Sequence, residues 1–114
     1  MRILVLGSGG REHAMARALE RDGDTVLVAP GNGGTSHRRD VDPCDAAQVL
    51  ALCRDEQIDL VLIGPESALA AGLSDALCAA GIKVFGPSRD AARLETSKSH
   101  GRAFAARHGL PSPR

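Results

Sequence analysis

The chain has 114 residues, of which 43% are hydrophobic and 2% aromatic, with 14 basic and 14 acidic side chains. This length allows one domain with a core of its own, and the apolar content excludes a disordered chain. Zero net charge and only two phenylalanines argue against a nucleic-acid surface, and no run approaches the ~20 apolar residues of a membrane span.

The first predicted element is a buried strand that runs into glycines and then into a helix. MRILVLG is a nearly continuous apolar run, which is typical of a strand covered on both faces. The apolar run is too short for a signal peptide. We predict a helix over residues 11–22, with its core face formed by Ala14, Met15, Ala18 and Leu19.

The turn between them, GSGGREH, has the character of an anion-binding turn. Gly7 and Gly9 match the first two glycines of the dinucleotide fingerprint, but the third position falls on Glu12. The next strand also lacks the terminal acid that would hold a ribose hydroxyl. The hypothesis of a nicotinamide-dependent oxidoreductase therefore rests on two glycines alone. A helix start favours an anion, and Arg11 can add a bidentate contact. The alternative is a simple turn with a solvated polar rim.

The rest of the chain alternates between strand and helix patterns. TVLVAPGN, IDLVLIGPE and IKVFGPS predict three more strands, and GGTSHRRDVDP predicts a loop. Helices are predicted over residues 45–56 and 68–80, followed by two more that Ser88 and Thr96 would cap. Repeated strand–helix–strand units predict an α/β fold, a parallel sheet of about four strands with helices on both faces.

Four loops leave the carboxyl edge of this predicted sheet, where ligands bind. Glu66 follows the third strand, where it could bind hydroxyls or an amine, or else cap the next helix as Ser67 also could. Asn32 lies between two glycines and tolerates left-handed geometry, which favours a structural role. Lys98 stands near a helix start, where a solvated lysine is the plain alternative. The sequence shows no metal-ligand spacing and no catalytic triad.

The three cysteines predict a reducing environment. There are three of them, Cys44, Cys53 and Cys78, and no two have C-x-x-C spacing. We therefore interpret them as small apolar residues of a cytoplasmic protein. Cys53 falls on the apolar stripe of its helix.

Several stretches, in order, resemble a known family. They are ILVLGSGGREHAMARAL, VAPGNGGT, IDLVLIGPESALAAGLSDAL and GIKVFGPSRDAARLETSKSHGRAFAARHGLPSP. Together they resemble the amino-terminal domain of the phosphoribosylamine–glycine ligases, which belong to the ATP-grasp superfamily. The resemblance covers nearly the whole chain. It implies a Rossmann-like, pre-ATP-grasp domain over residues 1–96, and over residues 97–114 a helix and the start of a connection to ATP-grasp domains that this chain lacks.

The resemblance also implies an activity and a site. The family joins glycine to 5-phosphoribosylamine with ATP, giving glycinamide ribonucleotide, ADP and phosphate in purine synthesis. Carried over to this sequence, the substrate contacts are Gly9, Gly10, Arg11, Glu12, Asn32 and Glu66. Lys98 would contact ATP. No catalytic residue or metal ligand is assigned here, because ATP and Mg²⁺ or Mn²⁺ would bind mainly outside the chain. The chain alone is therefore expected to be inactive.

Some positions depart from the family pattern. Ser67 and Ala68 follow the acid where Ala-Pro is usual, and His100 and Gly101 replace an aromatic residue and a helix former. These departures leave room for a stand-alone module that binds a phosphorylated sugar, or docks on separate ATP-grasp chains, without chemistry of its own.

Overall fold

A four-stranded parallel sheet forms the centre of the molecule. The computed structural model describes residues 1–112, so residues 113–114, predicted to belong to the connection, lie outside the described residues. The strands are β1 (Arg2–Gly7), β2 (Thr25–Pro30), β3 (Leu60–Ile63) and β4 (Lys83–Phe85). Their order is β2-β1-β3-β4, and every pairing is parallel. The predicted α/β fold is confirmed.

Residues 1–112 form six helices, of which the first five cover the two faces of the sheet. They are α1 (Gly10–Arg21), α2 (Ala46–Asp55), α3 (Glu66–Ala70), α4 (Leu73–Ala79), α5 (Arg89–Thr96) and α6 (Lys98–Arg107). Helix α1 packs on one face, and α2 to α5 supply side chains to the core on the other. No helix within residues 1–112 combines the length and the apolar character needed to cross a membrane.

The core explains the unbroken apolar run of β1. Leu4 and Leu6 belong to the larger cluster on the side of α2 to α5, while Ile3 and Val5 belong to the cluster beneath α1. Because β1 lies between β2 and β3 and is covered on both faces, each of its side chains from Ile3 onward is buried.

The predicted core face of the first helix is partly wrong. Ala16 is buried, together with the carboxylate of Glu12, whereas Ala14 and Ala18 are exposed. The small side chain of Ala16 lies in the centre of the contact with the sheet, and Leu19 continues the same stripe. The helix is therefore rotated relative to the prediction. Its first turn buries Glu12, a polar residue that the sequence pattern placed on the solvent face.

The helix predicted over residues 68–80 is two helices. Gly72 adopts a left-handed conformation with φ of 86°, which ends the continuous helix between α3 and α4. The bend still leaves Leu69 and Leu73 buried in the same cluster. A glycine inside an apolar repeat does not by itself indicate such a break, so a single helix was predicted.

Of the two N-caps predicted for the last two helices, one is confirmed and one is wrong. The hydroxyl of Ser88 accepts the Ala91 N–H at 3.1 Å, as expected for an N-cap. At the second helix the cap is Ser97, not Thr96, because the Ser97 hydroxyl accepts the His100 N–H at 3.3 Å. Thr96 is instead the last residue of α5, and its hydroxyl donates to the Ala92 carbonyl.

Candidate functional site

The candidate site lies where the strand order reverses. Strand β2 lies on one side of β1 and strand β3 on the other, so Gly7 and Gly64 at the ends of β1 and β3 flank the switch point. A cavity of about 360 Å³ opens there. Its wall consists of the turn around residues 7–12, Pro30 at the end of β2, residues 42–44, and Pro65 with Ser67. This is the crevice where parallel α/β sheets bind ligands.

Glu12 is buried beneath the glycine turn. It is 5% exposed, and its Oε2 accepts the Gly9 N–H at 2.9 Å. Its Oε1 accepts the Arg11 Nε–H at 3.1 Å. Since Gly9 has no side chain, only the glutamate half of a capping box can exist at the start of α1.

Glycines on two neighbouring strands make room for this side chain. A Cβ at Gly7 or at Gly64 would lie 2.5 Å from Glu12 Cγ, far inside van der Waals contact. In a dinucleotide fingerprint the small residue is on the helix, at the third position. Here the helix residue is large, and the strand ends are small instead.

Arg11 presents one occupied edge and one open edge. Its Nε–H donates to Glu12 and its Nη2 donates to the Gly64 carbonyl oxygen. The end-on edge, formed by Nη1 and the second Nη2 proton, has no partner within residues 1–112, and the side chain is 64% exposed. Because a guanidinium carries five N–H donors, three remain for a ligand.

Backbone donors belong to the same helix start as Arg11. The N–H groups of Gly10, Arg11 and Glu12 open α1, where a helix supplies no acceptor for them. The Gly9 N–H is already taken by Glu12. The anion-binding capacity of the turn therefore comes from the first turn of the helix and the Arg11 guanidinium.

Asn32 connects the loop after β2 to the glycine turn after β1. Its Nδ2 donates to the Ser8 carbonyl at 3.0 Å, and its Oδ1 accepts the Gly34 N–H at 2.8 Å. Both polar ends of the amide are thus used within the protein, which favours the structural role.

Glu66 and Lys98 lie away from the cavity wall. Glu66 is the exposed first residue of α3, Pro65 is the N-cap, and Ser67 rather than Glu66 contributes to the cavity. Lys98 is the exposed first residue of α6, and it lies in a separate depression with Leu94 and Arg102. The structure brings together Gly9, Arg11 and Glu12, but it does not bring Lys98 to them.

Residues 42–44 form a wall of the cavity that the sequence did not indicate. Asp42 Oδ1 accepts the Cys44 N–H at 2.9 Å, and Cys44 Sγ lies 3.8 Å from the Ser67 hydroxyl. The preceding loop runs beside β2, where Val28 and Arg38 form an isolated parallel bridge. A loop without periodicity gives no signal of such a path.

The described residues do not offer a metal centre. Within residues 1–112 no three His, Cys, Asp or Glu side chains lie close enough together to hold an ion. The resolved pKa shifts belong to Cys53 and Glu56, which lie outside the cavity wall.

Comparison with known proteins places these features in a family. Residues 1–95 match the family described as "Phosphoribosylglycinamide synthetase, N domain". The chain is 48% identical over 119 residues to phosphoribosylamine–glycine ligase of Mycobacterium leprae (strain TN), covering 100% of this chain and 28% of that protein. It is also 48% identical over 120 residues to the trifunctional purine biosynthetic protein adenosine-3 of Gallus gallus, covering 99% of this chain and 12% of that protein.

A solved structure agrees. The crystal structure of phosphoribosylamine–glycine ligase from Thermotoga maritima superposes with a TM-score of 0.71 at 31% identity, covering 100% of this chain and 26% of that one. The chain thus spans 12% to 28% of the length of these relatives.

Proposed function

Because the chain belongs to the family of phosphoribosylglycinamide synthetase N domains, we propose that it is the substrate-binding part of a phosphoribosylamine–glycine ligase. The complete ligase would join glycine to 5-phosphoribosylamine with ATP, giving glycinamide ribonucleotide, ADP and phosphate. The observations that carry this proposal are the open edge of Arg11 and the N–H groups that begin α1, both at the switch point of the sheet.

The phosphate of 5-phosphoribosylamine would bind at the start of α1. The N–H groups of Gly10 and Arg11 and the end-on edge of the guanidinium are donors of the kind that phosphate accepts. A hydrogen bond to a charged group contributes roughly 1.5–3 kcal/mol. The turn at Gly9 lets the backbone run close to this phosphate.

The opposite wall suits the sugar and its amine. Asp42 and Ser67 place a carboxylate and a hydroxyl in the cavity wall, and these oxygens accept hydrogen bonds from ribose hydroxyls or an amine. We assign Glu66, in the first turn of α3, to the sugar and amine end of the ligand. We assign Asn32 to the edge of the cavity, where its side chain contacts Ser8. The ligand would thus lie with its phosphate at α1 and its amine toward α3.

ATP and glycine would be held mainly by the part of the ligase outside this chain. ATP would supply the phosphoryl group that activates the glycine carboxylate, with Mg²⁺ or Mn²⁺. Residues 1–112 contain no cluster suited to that ion. Lys98, exposed at the start of α6, would reach toward the ATP phosphates from this side.

The division of the chain follows the same proposal. Residues 1–96 would form the substrate domain, and residues 97–114 would begin the connection to the ATP-grasp region. Helix α5 ends at Thr96 and α6 begins at Lys98, so the proposed boundary falls between helices. The three cysteines are free, which supports a cytoplasmic protein.

Titration calorimetry tests the binding site. We expect the chain to bind ribose 5-phosphate, or a stable amine analogue of it, and Arg11→Ala to weaken binding at least about tenfold, or ~1.4 kcal/mol. Arg17→Ala is the matched control, because Arg17 is an exposed arginine of the same helix and lies outside the cavity wall. No binding at millimolar ligand, or equal binding by Arg11→Ala and the parent, would contradict the proposal.

A further inference from the structure

We propose that Glu12 is a positioning residue of this site, whose side-chain carboxylate orients Arg11 and the glycine turn from beneath rather than binding the ligand. The identity of the ligand rests on the proposed function, whereas the packing that holds Glu12 does not depend on it. The sequence alone, through the family resemblance, implied a direct substrate contact for Glu12, and the geometry gives it a different role.

Burial and pairing engage the Glu12 carboxylate within the protein. At 5% exposure a carboxylate needs partners, and it has them in the Gly9 N–H and the Arg11 guanidinium. No buried side-chain polar atom within residues 1–112 lacks a hydrogen bond. With one donor on each oxygen, the carboxylate presents little surface to a ligand in the cavity that Glu12 helps to line.

Through these contacts Glu12 fixes the direction of Arg11. Its Oε1 and the Gly64 carbonyl bind the two donors of one guanidinium edge, Nε and Nη2. The plane of the guanidinium is thereby set before a ligand arrives, and the end-on edge faces outward. An arginine ordered in advance loses less conformational freedom when it binds an anion.

Gly64 is the second observation, because the Glu12 side chain leaves no room for a Cβ at this position. Gly7 has φ of 130°, which by itself favours glycine, but Gly64 does not have a left-handed φ. The atoms that a Cβ at Gly64 would meet first all belong to Glu12, with Cγ at 2.5 Å and Cδ at 2.7 Å. The end of β3 is therefore shaped around a side chain of α1.

A thermal double-mutant cycle tests that packing. We expect Gly64→Ala to lower the melting temperature in the parent, and to cost much less in a Glu12→Ala background, where the clash is gone. Gly33→Ala is the control, because a Cβ at Gly33 meets nothing within 4 Å and its φ is not left-handed. Equal losses for Gly64→Ala in the two backgrounds would overturn the packing argument.

The positioning of Arg11 has its own readout, which needs no ligand. In the parent we expect the Arg11 Nε–H proton to exchange slowly with water in ¹H–¹⁵N spectra, and in Glu12→Gln to exchange at least tenfold faster. Arg17, without a partner in the described residues, supplies the fast reference within the same spectrum. Slow exchange that persists in Glu12→Gln would overturn the proposal. This measurement also decides the matter should Glu12→Ala fail to fold.

An affinity cycle with ribose 5-phosphate then separates positioning from contact. We expect Glu12→Gln to weaken binding severalfold in the parent and to have no further effect in Arg11→Ala. Additive losses would show that Glu12 contacts the ligand itself and would overturn its assignment as a positioning residue. If the parent does not bind ribose 5-phosphate, the proposed function fails, while the exchange and thermal results still decide the role of Glu12.

Discussion

The three cysteines differ sharply in their surroundings. Cys53 is buried in the larger core cluster, and desolvation raises the pKa of its thiol to about 11. Cys44 and Cys78 are exposed. Because the thiolate is the reactive form, the folded chain should expose two reactive thiols and protect the third.

A thiol titration checks this expectation. At neutral pH we expect two equivalents of a disulfide reagent to react rapidly and the third to react only when the chain is unfolded by denaturant. Cys44→Ser should leave one rapid thiol, and Cys53→Ser should leave two. Three rapid thiols in the folded parent would place Cys53 outside the core and contradict the structure.

Individual residues show how far the sequence reaches. The apolar stripe of the second helix predicts Cys53 in the core, and this is confirmed. The burial of Glu12 could not be predicted, because a glutamate in the first turn of a helix is normally solvated. It depends on Gly64, which is close to Glu12 in space but follows β3, far from α1 in the sequence. The sequence shows the glycines but not the side chain that they accommodate.

Among the helices, α6 contains Gly101 in its interior, a residue that helix propensity disfavours. Glycine in a helix interior costs about 1 kcal/mol relative to alanine. A Cβ at Gly101, however, would lie 2.5 Å from the backbone oxygen of Leu94 in α5. Since α6 packs on α5 and has no buried residue, this close approach is central to how it is held.

We therefore expect Gly101→Ala to loosen α6 in spite of its better helix propensity. The clash should cost on the order of 1–3 kcal/mol, measured as faster hydrogen exchange of the α6 amides. Gly33→Ala, where there is open space, should leave those amides unchanged. Slower exchange in Gly101→Ala would show that propensity outweighs the contact.

Elements were predicted better than the connections between them. Four strands follow from short apolar runs bounded by glycine and proline, and each is found. The break at Gly72 was missed because a left-handed glycine inside an apolar repeat is revealed only by tertiary packing. The loop that brings residues 42–44 to the cavity was missed because its course is set by a bridge to Val28, which has no local signal.

Across the whole molecule, a charged cluster joins segments far apart in the sequence. Glu56, just after α2, pairs with Arg2 of β1 at 3.0 Å and with Arg39 of the loop after β2 at 2.8 Å. The hydrogen bond from Arg39, together with the charges of Arg39 and Arg2, holds the pKa of Glu56 below its usual range. This cluster fastens the strand, the helix and the loop to one another.

A lowered carboxylate pKa sets the direction of the pH dependence. The contribution of Glu56 to stability is present above the pKa of the unfolded chain and is lost as the pH falls through the lower folded value. We expect Glu56→Gln to melt at a lower temperature than the parent at pH 7, with the difference shrinking toward pH ~3. The control is Glu95→Gln, an exposed glutamate with no partner in the described residues. A difference that grows on acidification would contradict this assignment.

The fold and the location of the site follow from the order of strands and glycine turns, since a parallel sheet brings its carboxyl ends to one edge. The orientation of Arg11 follows from its contacts with Glu12 and with the Gly64 carbonyl after β3, and the second of these could not be predicted from the sequence around Arg11. The contact of Lys98 with ATP stays a prediction, because Lys98 lies in a depression separate from the cavity at the switch point.

The central claim is that the start of α1, with Arg11, binds the phosphate of a ribose phosphate. The most direct measurement is a ¹H–¹⁵N titration of the chain with ribose 5-phosphate and, separately, with ribose. We expect saturable shifts that are largest at the amides of Gly10, Arg11 and Glu12 with the phosphorylated sugar, and far smaller shifts with ribose. Shifts centred elsewhere, or none at millimolar ribose 5-phosphate, would contradict it.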